Sequence, residues 1–69
     1  MKWIVCVNNQ GFEASLEIRK LYLLEPDGLA ETKQMLRVVD ESGESYLYPA
    51  SLFQAIQVRA PLEQMLLAA

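Results

Sequence analysis

The run Met35-Leu36-Arg37-Val38-Val39-Asp40-Glu41-Ser42-Gly43-Glu44-Ser45-Tyr46-Leu47-Tyr48-Pro49 holds two strand-forming segments around a polar turn. Met35 to Val39 is apolar apart from Arg37 and ends in two β-branched valines, and Ser45 to Tyr48 sets two tyrosines at period two, which suits a pleated, half-buried surface. Between them, Asp40 to Glu44 is a cluster of turn formers whose glycine, Gly43, meets the positive φ that a hairpin loop of this length needs. Pro49 has no N–H to give to a ladder and stops the second strand. A hairpin specified this locally commits the chain to antiparallel sheet.

The rest of the chain has to complete that sheet with little material. A chain of 69 residues makes one domain, 1–69. A domain of that size buries only roughly 60% of its unfolded surface, so chains this small usually carry a staple. A single cysteine, Cys6, excludes an intrachain disulfide, and with no histidine it cannot build a zinc site. By elimination the staple is close packing or self-association, and 52% apolar residues supply enough material for both. The net charge of −3 opposes nucleic acid as a default partner, because the few cations are scattered and only Arg19-Lys20 are adjacent. The apolar run Trp3 to Val7 is too short for a signal segment, and no stretch approaches the ~20 apolar residues of a membrane span. A reducing, cytoplasmic setting is the expectation for a lone thiol.

Lys2 to Val7 reads as a first strand, with Trp3, Val5 and Val7 on one face and Ile4 and Cys6 on the other. Phe12 to Leu24 alternates twice, and the phase breaks at Arg19-Lys20. A bend or bulge at the basic pair, with a loop over Gly11 to Ser15 before it and a long strand after it, fits better than a helix over Glu13 to Leu24, which would lack a clean stripe. Glu25-Pro26-Asp27-Gly28 is a turn, and Leu29 to Gln34 is a loop or about one helical turn. Pro49 to Phe53 predicts a 3₁₀ turn, and Gln54 to Arg59 a last strand with Ile56 and Val58 on one face. After Pro61, the spacing of Leu62, Met65, Leu66 and Ala69 predicts a helix over about 61–69, too short to be stable without a surface to lie on. Five short strands and a 3₁₀ turn before the last of them describe a mostly β fold, a small bent antiparallel barrel with a short C-terminal helix.

That order of elements resembles the SH3-like barrel architecture. The run from Leu36 to Phe53 resembles more closely a group of small uncharacterised bacterial and phage proteins that share a pattern of roughly "RViDdsGedYlYP" followed by a phenylalanine. Arg37, Val38, Asp40, Ser42, Gly43, Tyr46, Tyr48, Pro49 and Phe53 stand at those positions, and the likeness covers residues 20 to about 58. It implies the barrel and a bacterial source, and no activity. Pro49 to Phe53 is also similar to the segment of peptide-binding SH3 domains that lines a polyproline groove. That likeness implies Pro49 and Phe53 as groove residues with Tyr48 beside them. The chain departs from the pattern: its one tryptophan, Trp3, is in the first strand, and the acidic loop is reduced to Glu13 and Glu17.

The remaining chemistry reads mostly as structure. Asp40, Glu41 and Glu44 lack calcium-loop spacing, and a hairpin tip is solvated, so Asp40 or Ser42 should cap turn amides. Cys6 lies in an apolar strand without a base and reads as a buried small hydrophobe. Arg37 points away from Leu36 and Val38, toward an ion pair with Glu44 or another carboxylate. No nucleophile–base pair, phosphate loop or ligand cluster stands out, so neither catalysis nor a cofactor is expected. The expectation is a non-enzymatic interaction module that binds protein and itself as a homodimer. Its candidate contact residues are Tyr48, Pro49 and Phe53 on one surface and Leu62, Met65 and Leu66 on the C-terminal helix. The alternative, a nucleic-acid-associated barrel, requires Lys2, Arg19, Lys20 and Arg37 to converge on one face.

Overall fold

The computed structural model describes residues 2–40 and 42–68. Five strands, β1 (Lys2–Cys6), β2 (Leu21–Glu25), β3 (Met35–Val39), β4 (Ser45–Pro49) and β5 (Phe53–Ile56), form one antiparallel sheet in the order β4-β3-β2-β1-β5. A five-residue helix, α1 (Gly28–Thr32), joins β2 to β3. A 3₁₀ turn, Ala50–Leu52, joins β4 to β5, and a nine-residue helix, α2 (Ala60–Ala68), follows β5. Glu41 and Ala69, parts of the expected hairpin turn and helix, lie outside the described residues. None of the described helices is long and apolar enough to cross a membrane.

Strand number, antiparallel pairing, the 3₁₀ turn before the last strand and the C-terminal helix follow the expectation. The closed barrel does not. Among the described residues no ladder joins β4 to β5, and these two strands remain the edges of an open sheet. The physical reason lies in the connection: Pro49 ends β4, the three-residue turn redirects the chain, and all four residues of β5 pair with β1 instead.

Period-two alternation fills the inner face of this sheet. Ile4 pairs with Tyr22 and Ala55, Cys6 with Phe53, Val38 with Leu24 and Tyr46, and Leu36 with Tyr48. Ile4, Cys6, Tyr22, Val38, Tyr48 and Phe53 therefore converge in one core, joined by Leu16 and Leu52 from the connections. Its rings meet edge to face, Phe12 on Tyr48 at 5.3 Å and Tyr22 on Phe53 at 6.2 Å between centroids.

The segment between β1 and β2 is not the helix weighed above: turns precede the basic pair and a strand follows it, though that strand is only five residues long. Only Leu21–Glu25 is strand, and the residues before it form a series of turns over the open side of the core. Leu16, 2% exposed, plugs that side, while Ile18 faces solvent. The bulge at the basic pair is present. Arg19 donates its backbone N–H to the Cys6 carbonyl (2.7 Å), and Cys6 donates to the Lys20 carbonyl (3.0 Å), so two residues oppose one. Arg19 takes φ +69° to do this, a conformation usually left to glycine. The last strand also differs from expectation, starting at Phe53 and ending at Ile56.

Arg19 is exposed, so replacing it removes little but backbone strain. Arg19→Gly should stabilise the fold by about 0.5–1 kcal/mol in urea unfolding, since relief of the left-handed conformation exceeds the added chain entropy. A destabilised variant would show that the Arg19 side chain supports the bulge.

Candidate binding surfaces

The outer face of the sheet has an apolar centre, flanked by Glu25, Arg37, Ser45 and Gln54. Trp3 lies opposite Leu23 and Ile56, Val5 opposite Leu21, and Val39 opposite Leu23. α2 lies against part of this face. Its Leu66 and Leu67 line a cleft with Trp3, Leu21, Leu23 and Val39. The Glu63 carboxylate accepts a hydrogen bond from the Trp3 indole Nε1–H at 2.9 Å, which leaves Trp3 only 7% exposed. The helix is thus tied to its own sheet through Glu63, and the half-buried Leu66, one turn on, borders the cleft between them.

The candidate residues named from the sequence separate into two groups. Tyr48 and Phe53 are core side chains, 8% and 9% exposed, with their rings 6.1 Å apart, and Pro49 is half-buried at the end of β4. They do not form an open apolar groove of the kind the similarity to peptide-binding domains implies. The alternation that put Tyr48 on the inner face was legible, but the sequence did not show that the long loop, through Phe12, would cover it. On α2, Leu66 is half-buried against the sheet, whereas Leu62 and Met65 are 47% and 70% exposed. Leu67 is 48% exposed as well, and no residue of α2 is buried.

A polar groove, not anticipated from the sequence, opens between the long loop and the β3–β4 hairpin. It has a volume of about 620 Å³, and Tyr22, Tyr46 and Tyr48 stand along it with Glu13, Glu17 and Lys20. The Tyr22 hydroxyl accepts the backbone N–H of Glu17 (2.9 Å), and Tyr46 donates its hydroxyl to Glu44. Burial pushes the Tyr22 phenol above its ordinary pKa, and the Glu44 carboxylate does the same to Tyr46. The Lys20 ammonium pairs with Glu17 (3.8 Å) and sits 5.4 Å from the centroid of the Tyr22 ring. Asp40 borders the groove and closes the hairpin turn: its Oδ1 accepts from the Ser42 N–H, the Ser42 hydroxyl and the Glu44 N–H. The turn-capping role expected of Asp40 is therefore present, and the Ser42 hydroxyl bond foremost holds its carboxyl below the usual range.

Among the described residues, two of the cations, Lys20 and Arg37, make ion pairs. Arg37 reaches Asp27 (2.8 Å) and its cross-strand neighbour Glu25 (3.7 Å) rather than Glu44. Lys2 and Arg59 line a separate cleft beside β1 and β5. Cys6 is fully buried, its thiol directed at the Asn8 carbonyl (3.4 Å). In the comparisons with known proteins, no family, curated protein or solved structure matches the chain.

Asp27 connects two elements. Its Oδ1 caps α1 through the Ala30 N–H (3.0 Å), and its Oδ2 holds Arg37. The Ala30 bond first, and Arg37 second, hold its carboxyl below the usual range. A carboxyl whose folded pKa is depressed contributes stability above its unfolded pKa and loses it as pH falls through the folded value. The thermal midpoint should therefore fall on acidification below about pH 4, the ordinary aspartate range, and the fall should be shallower in Asp27→Asn. Equal slopes in the two proteins would remove Asp27 from the acid transition.

Proposed function

We propose that the protein is a non-enzymatic interaction domain that associates with a second copy of itself through the outward side of α2. The observation carrying this reading is the distribution of apolar side chains around that helix. At about 100° per residue, Met65, Leu62, Leu66 and Leu67 span roughly 200° of arc. The sheet lies under only one side of it, and Leu62 and Met65 stay uncovered. A helix apolar on more than one side belongs between two surfaces.

Charge favours a second copy as the missing surface. α2 carries one charged residue, Glu63, and that carboxylate is turned to Trp3. Two copies of an acidic chain can therefore meet helix to helix without opposing like charges. Self-association would also supply the staple that a 69-residue chain with one cysteine otherwise lacks.

Sedimentation equilibrium of the full chain should show a reversible dimer, and Met65→Glu should weaken it by at least about tenfold, because a carboxylate buried without a partner opposes association. The Trp3 emission should stay unchanged in that variant, since Met65 points away from the sheet. A wild-type monomer at every concentration, or a dimer indifferent to Met65→Glu, would overturn the reading.

A further inference from the structure

The tyrosine groove carries an inference independent of self-association. Tyr48 is 8% exposed, yet its hydroxyl has no hydrogen-bond partner among the described residues. No fully buried side-chain oxygen or nitrogen among them lacks a partner. The Tyr48 hydroxyl therefore opens to the groove that its side chain lines. A phenol whose ring is buried and whose hydroxyl is open, with no protein partner among the described residues, is a fixed hydrogen-bond site available to a ligand.

The groove's charge and rings fix the kind of group that would satisfy it. Among the described residues, Glu13, Glu17 and Asp40 line it with one cation, Lys20. Lys20 already rests over the Tyr22 ring and against Glu17, so the wall accommodates a cation on an aromatic face. Asp40 spends Oδ1 on the turn, and Oδ2 makes no bond with another described residue. An anion would meet three carboxylates here, whereas a guanidinium can donate to a phenol oxygen and a carboxylate at once and lie flat on a ring. The space of about 620 Å³ is more than one side chain fills, and it opens beside β4, an edge strand.

We propose that this groove receives an arginine side chain from an extended segment of a partner protein, with the guanidinium donating to the Tyr48 hydroxyl and facing Glu13, Glu17 and Asp40. The contact adds a second kind of partner to the domain and uses the inner face of the sheet, so it stands whether or not the chain dimerises through α2.

The test is a titration of the full chain with a blocked Gly-Arg-Gly tripeptide, followed by backbone and tyrosine NMR shifts. Saturable shifts are expected at Glu17, Ser42 and Tyr48. The same tripeptide with citrulline, which keeps the shape and loses the charge, should not bind. Tyr48→Phe should weaken binding about tenfold, the usual effect of losing a hydrogen bond to a charged group. Glu13→Gln, at an exposed position that cannot unsettle the core, should weaken it as well. Absent or unsaturable shifts, equal binding of the citrulline peptide, or indifference to both substitutions would overturn the proposal. Free arginine binding as tightly as the tripeptide would overturn the assignment to a protein segment.

Discussion

The hydrogen bond from the Trp3 indole to Glu63 joins the second residue of β1 to the first turn of α2 across 60 positions of sequence. β1 is the strand on which the sheet is built, pairing with β2 on one side and β5 on the other. Its Ile4 and Cys6 fill the inner core, and its Trp3 belongs to the outer face. Burying both sides of one strand is how a chain this short increases its apolar contact. α2 meets Trp3 through Glu63, and its Leu66 and Leu67 face Leu21 and Leu23 of β2 across a cleft. At about 25 cal/mol per Å², a tryptophan's 150–250 Å² corresponds to several kcal/mol, comparable with the whole net stability of a small domain. The carboxylate then satisfies the one polar atom of the ring.

The two faces of the sheet divide the labour. The inner face is sealed by the long loop, whose Leu16 and Phe12 close the core from above. That same loop leaves a trough against the hairpin because Arg19 and Lys20 bulge and turn the chain toward β2. The tyrosine groove is thus a by-product of how the core is covered: the rings of Tyr22 and Tyr48 are core, and the hydroxyl of Tyr48 reaches the wall of the trough. The outer face is only partly covered, because nine residues of helix cannot span five strands. What remains open there is apolar, and what remains open on the inner side is acidic and phenolic. The two surfaces suit different partners.

Local features were legible in the sequence and non-local ones were not. The hairpin strands, the 3₁₀ turn and the first strand rest on period-two alternation and proline, which act within a few residues. The bulge was legible as a break in phase at Arg19-Lys20, although the positive φ on an arginine was not. Arg37 pointed outward as the alternation required, but its partner came from the α1 cap, since Asp27 is already fixed there by the Ala30 N–H. Barrel closure depended on the path after Pro49, which no local pattern encodes. Tyr48 and Phe53 had the composition of a groove and became core because Phe12, 36 positions before Tyr48, folds onto it. The helix stripe Leu62, Met65, Leu66 was a sound reading of apolar spacing, yet Glu63 selects the docked side by bonding to Trp3, and a carboxylate turned inward is what such a stripe leaves out.

The most direct test of this account uses the single tryptophan as its own reporter. The emission of Trp3 is compared in the full chain and in a chain ending at Arg59. The account predicts blue-shifted emission in the full chain. In the shortened chain the emission moves to that of a solvated indole, and the urea midpoint falls with it. Unchanged emission and an unchanged midpoint would contradict it, for α2 would then cover nothing that the sheet needs covered.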